Sequence, residues 1–149
     1  MIDRKQAEEI AKLLNQQNQL AGVHTADTVL ADKIGYLVEL SEDGRVACCA
    51  HVKKVQWYQA EVSHVTTHPE FVRQGRGLRM IAAVEKRARE NGQRLLQCTI
   101  REGNKASSDL FDKAGFVQGP TFFNPQTENN VTVWSKPLHP ATRPSDTGQ

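Results

Sequence analysis

Apolar residues near the start of the chain recur at the spacing of one face of a helix. These residues are Ala7, Ile10, Ala11 and Leu14. Asp3 and Gln6 precede them at the spacing of a capping box, in which two side chains bind each other's main-chain amides at a helix start. The pattern predicts an N-terminal helix, and residues 22–33 are compatible with a second, shorter helix.

From Ile34 onward the apolar pattern changes to the alternation that is typical of β-strands. The predicted strands are residues 36–40, 46–55 and 61–67. Residues 41–44, Ser-Glu-Asp-Gly, have strong turn chemistry, and both connections are short. The three strands are therefore expected to form an antiparallel meander. Pro69 ends it, because proline has no amide hydrogen to give to a strand ladder.

Helical and extended patterns alternate through the second half of the chain. The predicted elements are a helix at 78–91, a strand at 95–100, a helix from an Asn104 cap to Gly115, and strands at 116–117 and 131–134 joined by a polar loop with Pro120 and Pro125. The strand–helix–strand unit over residues 61–100 needs a crossover, so part of the sheet should be parallel. The predicted fold class is α/β, with a mixed sheet in which an antiparallel meander joins parallel strands and helices flank the sheet.

The composition is that of an ordinary folded domain. The chain has 149 residues, of which 38% are hydrophobic and 24% charged, which is enough to bury a core without a metal or a disulfide. We expect a single domain over residues 1–138. Residues 139–149 are rich in proline and small polar residues without apolar periodicity, so we expect a disordered tail there.

Charge, cysteines and apolar run lengths narrow the classes of partner. Nineteen basic and seventeen acidic residues give a net charge of +2, too mild to indicate nucleic-acid or membrane binding. An odd number of cysteines, with Cys48 and Cys49 adjacent and Cys98 alone, favours reduced thiols. No C-x-x-C pair, signal-peptide core or membrane-length apolar run occurs. We expect a cytoplasmic protein with no metal, nucleic-acid or membrane partner.

A glycine-rich loop lies between the third predicted strand and the following helix. Gly75 and Gly77 allow close approach of a ligand to the main chain, and free amides at a helix start bind anions. Arg73, Arg76 and Arg79 add donors suited to phosphate oxygens. The Walker pattern G-x-x-x-x-G-K-[ST] is absent, and the third glycine of a dinucleotide fingerprint is missing. The loop therefore predicts a phosphate site of another kind.

Two segments resemble the GCN5-related N-acetyltransferase (GNAT) family. Residues 68–78, His-Pro-Glu-Phe-Val-Arg-Gln-Gly-Arg-Gly-Leu, are similar to its motif A, R/Q-x-x-G-x-G/A. Residues 104–116, from Asn104 to Phe116, are similar to its motif B, N-x-x-A/S…Y/F-x-x-x-G-F. Val72 departs from motif A, where the family has arginine or glutamine. The order and separation of the motifs match the family, and the resemblance covers residues 36–138.

The resemblance implies transfer of an acetyl group from acetyl-CoA to a primary amine, by direct attack in a ternary complex. The family holds CoA where two neighbouring parallel strands splay apart. Backbone groups of Val65, Thr66 and Thr67 would then pair with the pantetheine arm. The other residues implied in cofactor binding, most of them around the diphosphate, are Val72, Arg73, Gln74, Gly75, Arg76, Gly77, Leu78, Arg79, Asn104, Ser107 and Phe111. Many relatives pair through their late strands, so the resemblance is also compatible with a homodimer.

The resemblance also implies the groups that perform catalysis. Glu61 falls where histone acetyltransferases of the family place their general base, and the amide of Val65 is the expected oxyanion donor. Strand alternation would put Glu61, Ser63, Val65 and Thr67 on one face and His64 on the other, unless a bulge re-aims it. His64 is the competing base, because the reference pKa of histidine suits the task.

Phe111 occupies the position at which many relatives have a tyrosine that protonates the departing thiolate. Phenylalanine cannot donate a proton, so a second interpretation is a CoA-binding sensor or interaction module that has lost catalysis. A third, nucleic-acid binding through the basic residues of the loop and helix, is disfavoured by the modest net charge and the lack of interleaved aromatic residues.

Overall fold

The computed structural model describes residues 1–17 and 23–138 and contains a six-stranded mixed sheet. The strands are β1 (Tyr36–Leu40), β2 (Val46–Gln56), β3 (Gln59–Thr67), β4 (Leu95–Arg101), β5 (Val117–Asn124) and β6 (Asn129–Pro137). The helices are α1 (Arg4–Gln17), α2 (Ala26–Ala31), α3 (Arg76–Glu90) and α4 (Lys105–Lys113). The predicted tail, residues 139–149, lies outside the described residues.

The strands lie in the order β1-β2-β3-β4-β6-β5 across the sheet. β1, β2 and β3 form the predicted antiparallel meander, and β4 joins β3 in parallel after the crossover through α3. β6 then pairs with β4, and β5 with β6, in antiparallel fashion. The predicted α/β class and mixed sheet are confirmed.

The two N-terminal helices begin at capping residues. Asp3 Oδ1 accepts a hydrogen bond from the amide of Gln6 at 2.8 Å, and Gln6 Oε1 accepts one from the amide of Asp3 at 3.1 Å. The predicted capping box is therefore present. Thr25 and Thr28 form a second box at the start of α2, which confirms the shorter helix.

The sheet separates two apolar clusters, one on the face covered by α3 and α4 and one on the face covered by α1 and α2. We call these the α3 face and the α1 face. The α3 face buries Val62, Leu96 and Trp134, among others, and the α1 face buries a set that includes Tyr36 and Cys49. All three cysteines are buried free thiols, as the odd count predicts.

The segment predicted as a polar loop after Phe116 is mostly strand. β5 runs through Pro120 at the edge of the sheet, and its register with β6 shifts between Gln118 and Thr121. Proline is tolerated at an edge or a bulge because no ladder donor is required there. The loop prediction was wrong because a proline signal does not distinguish an edge strand from a loop.

No helix in residues 1–17 or 23–138 combines the length and apolar character needed to cross a membrane.

Candidate active site

β3 and β4 are paired only where they begin. Three parallel pairs join them, the last between Glu61 and Gln97, whereas β3 continues to Thr67 and β4 to Arg101. The two strands therefore part towards their carboxyl ends. Each strand leads into a helix, so the starts of α3 and α4 lie at the open end of the gap. In α/β sheets this edge, beyond the carboxyl ends of neighbouring parallel strands, is the usual place for a ligand.

The loop between β3 and α3 presents unpaired amides. Arg73 and Gly75 adopt left-handed backbone conformations, with φ of 65° and 72°. α3 begins at Arg76, earlier than the predicted Leu78, so Gly77 lies in its first turn. Gly75 is the N-cap and supplies no side-chain hydrogen bond, and the first-turn amides of a helix have no intrahelical partner. Left-handed residues beside such amides are typical of anion-binding concavities.

The arginines of the loop differ in their surroundings. Arg73 is exposed. Arg76 and Arg79 both form ion pairs with one oxygen of Glu39 on β1, and the distance from Arg79 Nη2 to that oxygen is 2.9 Å. The hydrogen bond from Arg79, with the charges of Arg79 and Arg76, holds the pKa of Glu39 below its ordinary value. Two of the three arginines expected to serve phosphate oxygens are thus engaged with a carboxylate of the protein.

The two predicted motifs meet at the first turn of α3. A Cβ on Gly77 would lie 3.1 Å from both δ-methyl groups of Leu110 in α4. Asn104 Oδ1 accepts a hydrogen bond from the amide of Ser107 at 3.3 Å and so caps α4, as predicted. Phe111 is buried and contacts Phe116 edge-to-face, with 4.9 Å between ring centroids. Glycine at position 77 lets α4 approach the first turn of α3 closely.

The side chains at the end of β3 are occupied within the protein. Val65 packs against the cluster on the α3 face. Thr66 Oγ1 donates to the carbonyl of His64 at 3.2 Å, and Thr67 Oγ1 donates to Cys48 Sγ at 3.4 Å. A ligand in the gap beside residues 65–67 would therefore contact the main chain of this segment rather than the ends of these three side chains.

A β-bulge interrupts β3 and overturns part of the predicted alternation. His64 has φ of 56°, and the register with β2 shifts between Cys49 and His51. Val62 and Val65 consequently both face the α3 cluster, although they are three residues apart. The expectation that Glu61 and Val65 share a face was wrong, because the extra residue of a bulge reverses the alternation beyond it.

Glu61 lies just before the bulge, on the α1 face. Its neighbours in β3, Ala60 and Val62, both belong to the cluster on the opposite face. Glu61 is half-buried and stands opposite Lys53 in β2 and Gln97 in β4. The predicted base is therefore at the point where the two strands begin to part.

Three histidines from separate segments converge on the α1 face at the bulge. The ring of His64 lies 5.1 Å from that of His24 and 6.2 Å from that of His51. The amide nitrogen of Asn15 donates to the carbonyl of His24 at 2.8 Å, and its oxygen accepts from the His24 amide at 2.9 Å. His51 Nε2 lies 2.5 Å from Asp32 Oδ2. The bulge re-aims His64 into this cluster.

Burial lowers the pKa of His64 to about 4, and the charges of His24 and His51 act in the same direction. His64 is therefore neutral at physiological pH. Sequence reasoning missed this cluster and the role of Glu39, because their partners are distant along the chain. The positive φ of His64 has no local signal either, since histidine is not a residue that requires it.

Comparison with known proteins places this geometry in a family. The sequence matches the profile of the acetyltransferase (GNAT) family over residues 6–116. No curated protein sequence matches the chain.

Three solved structures illustrate the similarity of fold. Ard1 from Thermoplasma volcanium is 19% identical with a TM-score of 0.79, over 93% of this chain and 95% of that one. The ribosomal-protein-alanine N-acetyltransferase from Brucella melitensis is 20% identical with a TM-score of 0.78, over 92% and 97%. A phosphinothricin acetyltransferase from Sinorhizobium meliloti, in complex with acetyl-CoA, is 19% identical with a TM-score of 0.76, over 98% and 91%. Since the profile covers more than half of the sequence, the chain belongs to the GNAT family of acetyltransferases.

Proposed function

We propose that the protein is an N-acetyltransferase that moves an acetyl group from acetyl-CoA to a primary amine, by direct attack in a ternary complex. The observation that carries the proposal is the parting of β3 and β4 after the Glu61–Gln97 pair, beside the uncapped start of α3. Along one edge of the gap, main-chain groups of β3 are available to an extended ligand. At the open end of the gap, the amides at the start of α3 are available to a diphosphate. The pantetheine diphosphate portion of acetyl-CoA has both an extended arm and a diphosphate.

In this proposal the diphosphate binds the main-chain amides of the loop rather than a set of cationic side chains. The binding segment is Val72, Arg73, Gln74, Gly75, Arg76, Gly77, Leu78 and Arg79. The Arg79 amide already donates to the carbonyl of Gly75 at 3.1 Å, so the amides before it are the better donors. The pantetheine arm lies along the main chain of Val65, Thr66 and Thr67. On the α4 side it is flanked by Asn104, Ser107 and Phe111.

Acetyl-CoA supplies an activated thioester carbonyl and a thiol leaving group with a pKa near 8.5. Glu61, on the α1 face, accepts a proton from the acceptor ammonium group through a water molecule, and the resulting free amine attacks the thioester carbon. The nitrogen loses its second proton to solvent as the C–S bond breaks. The amide of Val65 donates to the carbonyl oxygen as negative charge develops on it. Phe111 cannot give a proton to the departing sulfur. Because the pKa of a thiol is low, CoA can leave as the thiolate without a general acid.

His64 is the less suitable base. Its lowered pKa of about 4 removes the near-neutral titration that would have recommended it over a carboxylate. Its place beside His24 and His51 on the α1 face instead makes it part of the wall that the amine would approach. The acceptor would thus enter from the α1 face, while α3 and α4 hold the cofactor on the other.

Calorimetry with acetyl-CoA, followed by a panel of primary amines with detection of free thiol, tests the proposal. We expect saturable binding of acetyl-CoA and amine-dependent thiol release. Binding without thiol release for any amine would instead support the sensor module. Absence of heat and of saturation at millimolar acetyl-CoA would overturn the assignment altogether.

A further inference from the structure

Glu39 lies on β1, on the far side of β3 from the gap, and nevertheless contacts the diphosphate loop. One of its oxygens accepts hydrogen bonds from Arg76 and Arg79 in the first turn of α3. The side chain of Glu39 is 28% exposed and that of Arg76 is 15% exposed, so this pair is largely shielded from water. Such a charge-assisted contact is stronger than an exposed ion pair.

The electrostatics of the helix explain why a carboxylate is needed here. Two arginines in the first turn of α3 place positive charge where the helix dipole is already positive, which is unfavourable. Glu39 provides the compensating anion from outside the helix. Because its oxygen binds guanidinium groups and not the amides, the anion stabilises the turn without occupying the amide cradle.

The contact continues from Arg79 into the main chain of the loop. Arg79 Nη1 donates to the carbonyl of Gln74 at 2.7 Å, and Arg76 Nε donates to Gln74 Oε1 at 3.1 Å. The peptide bond between Gln74 and Gly75 is trans, so its N–H points opposite to its C=O. Holding that carbonyl towards Arg79 therefore turns the Gly75 amide away from Arg79 and leaves it free to meet a ligand of the loop.

From these contacts we infer that Glu39 is a positioning residue for the diphosphate of the acyl-CoA. Glu39 fixes Arg79, Arg79 fixes the Gln74 carbonyl, and the carbonyl orients the Gly75 amide towards the ligand. The inference rests on the proposed function of the loop. It assigns Arg76 and Arg79 a role on the protein side of the loop, distinct from direct neutralisation of phosphate.

Substitution of Glu39 distinguishes a positioning role from the alternative, in which Glu39 competes with the phosphate of the ligand for Arg76 and Arg79. Glu39→Ala removes the acceptor and the charge, whereas Glu39→Gln keeps an acceptor oxygen and removes the charge. Glu42→Gln is the matched control, because Glu42 is an exposed carboxylate in the adjacent turn and its loss changes the net charge equally. The measurements are the Kd of acetyl-CoA by calorimetry, the KM of each substrate, kcat and the Tm.

We expect Glu39→Ala to raise the Kd and the KM of acetyl-CoA about tenfold, as loss of a charge-assisted hydrogen bond implies. Glu39→Gln should fall between Glu39→Ala and the wild type. The kcat and the KM of the amine should stay within about twofold of the wild type, because a loop defect acts before chemistry. Glu42→Gln should bind normally. A merely structural defect would lower Tm and disturb all of these constants together.

Arg79→Lys provides a second route if Glu39→Ala fails to fold. Lysine keeps the charge but cannot reach Glu39 and Gln74 at once, so it should weaken acetyl-CoA binding similarly, and its effect should add little to that of Glu39→Gln. Tighter binding in the Glu39 variants would show that Glu39 competes with phosphate for the arginines, and unchanged binding would also overturn the inference. Failure of the wild-type protein to bind acetyl-CoA would instead refute the proposed function.

Discussion

The proposed diphosphate loop, residues 72–79, and the proposed acyl-transfer centre at the β3 bulge are built in opposite ways. The loop uses main-chain amides of neighbouring residues, from Arg73 to Leu78, at the start of α3. The centre at the bulge depends on side chains from separate segments: the rings of His24 and His51 meet His64 there, and Glu61 lies three residues earlier in β3. One region therefore depends on backbone conformation and the other on the packing of distant elements.

This difference has a consequence for substitutions. At the loop, substitutions should be most damaging where a new side chain would enter the space of the ligand or of α4, above all at Gly77. At the bulge the vulnerable positions are the reacting and titrating side chains themselves. Variants of the loop should alter acetyl-CoA affinity, whereas variants of the bulge should alter turnover or its response to pH.

The largest effect is expected from Gly77→Glu. Its side chain would collide with Leu110, 3.1 Å from the position of its Cβ, and bring negative charge next to the diphosphate. Repulsion of about 1–4 kcal/mol between charges 4 Å apart, added to the steric conflict, should raise the Kd of acetyl-CoA at least about 100-fold. Calorimetry measures it.

Ala83→Glu is the matched control for that variant, since it adds the same charge to an exposed position in the middle of α3. It should bind acetyl-CoA normally. Equal affinities for Gly77→Glu and wild type would place the diphosphate elsewhere.

Glu61→Gln should lower kcat by about 100-fold, which is within the range for loss of a general base. The Kd of acetyl-CoA should stay within about twofold, because the substitution leaves the loop intact. Steady-state kinetics and calorimetry on the same preparation check both values. Glu90→Gln, an exposed carboxylate at the end of α3, is the control, and undiminished turnover in Glu61→Gln would transfer the base role to another group.

His64 should make the protein less stable as the pH falls from about 6.5 towards 4. Its pKa is lower in the folded protein, about 4, than its ordinary 6.5, so the unfolded chain binds the proton more tightly and stability is lost in this range. Thermal unfolding between pH 7 and 5 should be less pH-dependent in His64→Asn, in which asparagine accepts the left-handed backbone.

A difference of about 1 kcal/mol would appear as about 2–4 °C in Tm. His68→Gln, outside the cluster, should retain the wild-type slope. Parallel slopes for wild type and His64→Asn would show that burial of His64 has no part in the acid response.

The smallest effect is expected from Val72→Arg, which restores the residue type that the family pattern has before the loop. Val72 is 47% exposed, so an arginine fits without repacking and adds one exposed donor near the diphosphate. Exposed ion pairs contribute about 0.2–1 kcal/mol, and we expect the Kd of acetyl-CoA to fall by at most about fivefold. An unchanged Kd would mean that position 72 faces away from the ligand, and a rise in Kd would contradict the prediction.

Much of the fold was accessible from the sequence because its signals are local. The Asp3–Gln6 capping box, the Asn104 cap and the Gly75–Gly77 loop each act within a few residues, and each is present in the structure. Pro120 misled the prediction because proline marks both loops and edge strands. The face of Val65 was also mispredicted, because no residue in β3 requires a bulge.

The amino-acid sequence alone determined the order of elements, the glycine-bearing turn ahead of α3 and the two family motifs, since each depends on neighbours along the chain. Only the tertiary structure decided that β3 bulges at His64, that three imidazoles meet there and that Glu39 holds Arg76 and Arg79. Those contacts join residues far apart in sequence, and their geometry follows from how the strands pair and the helices pack.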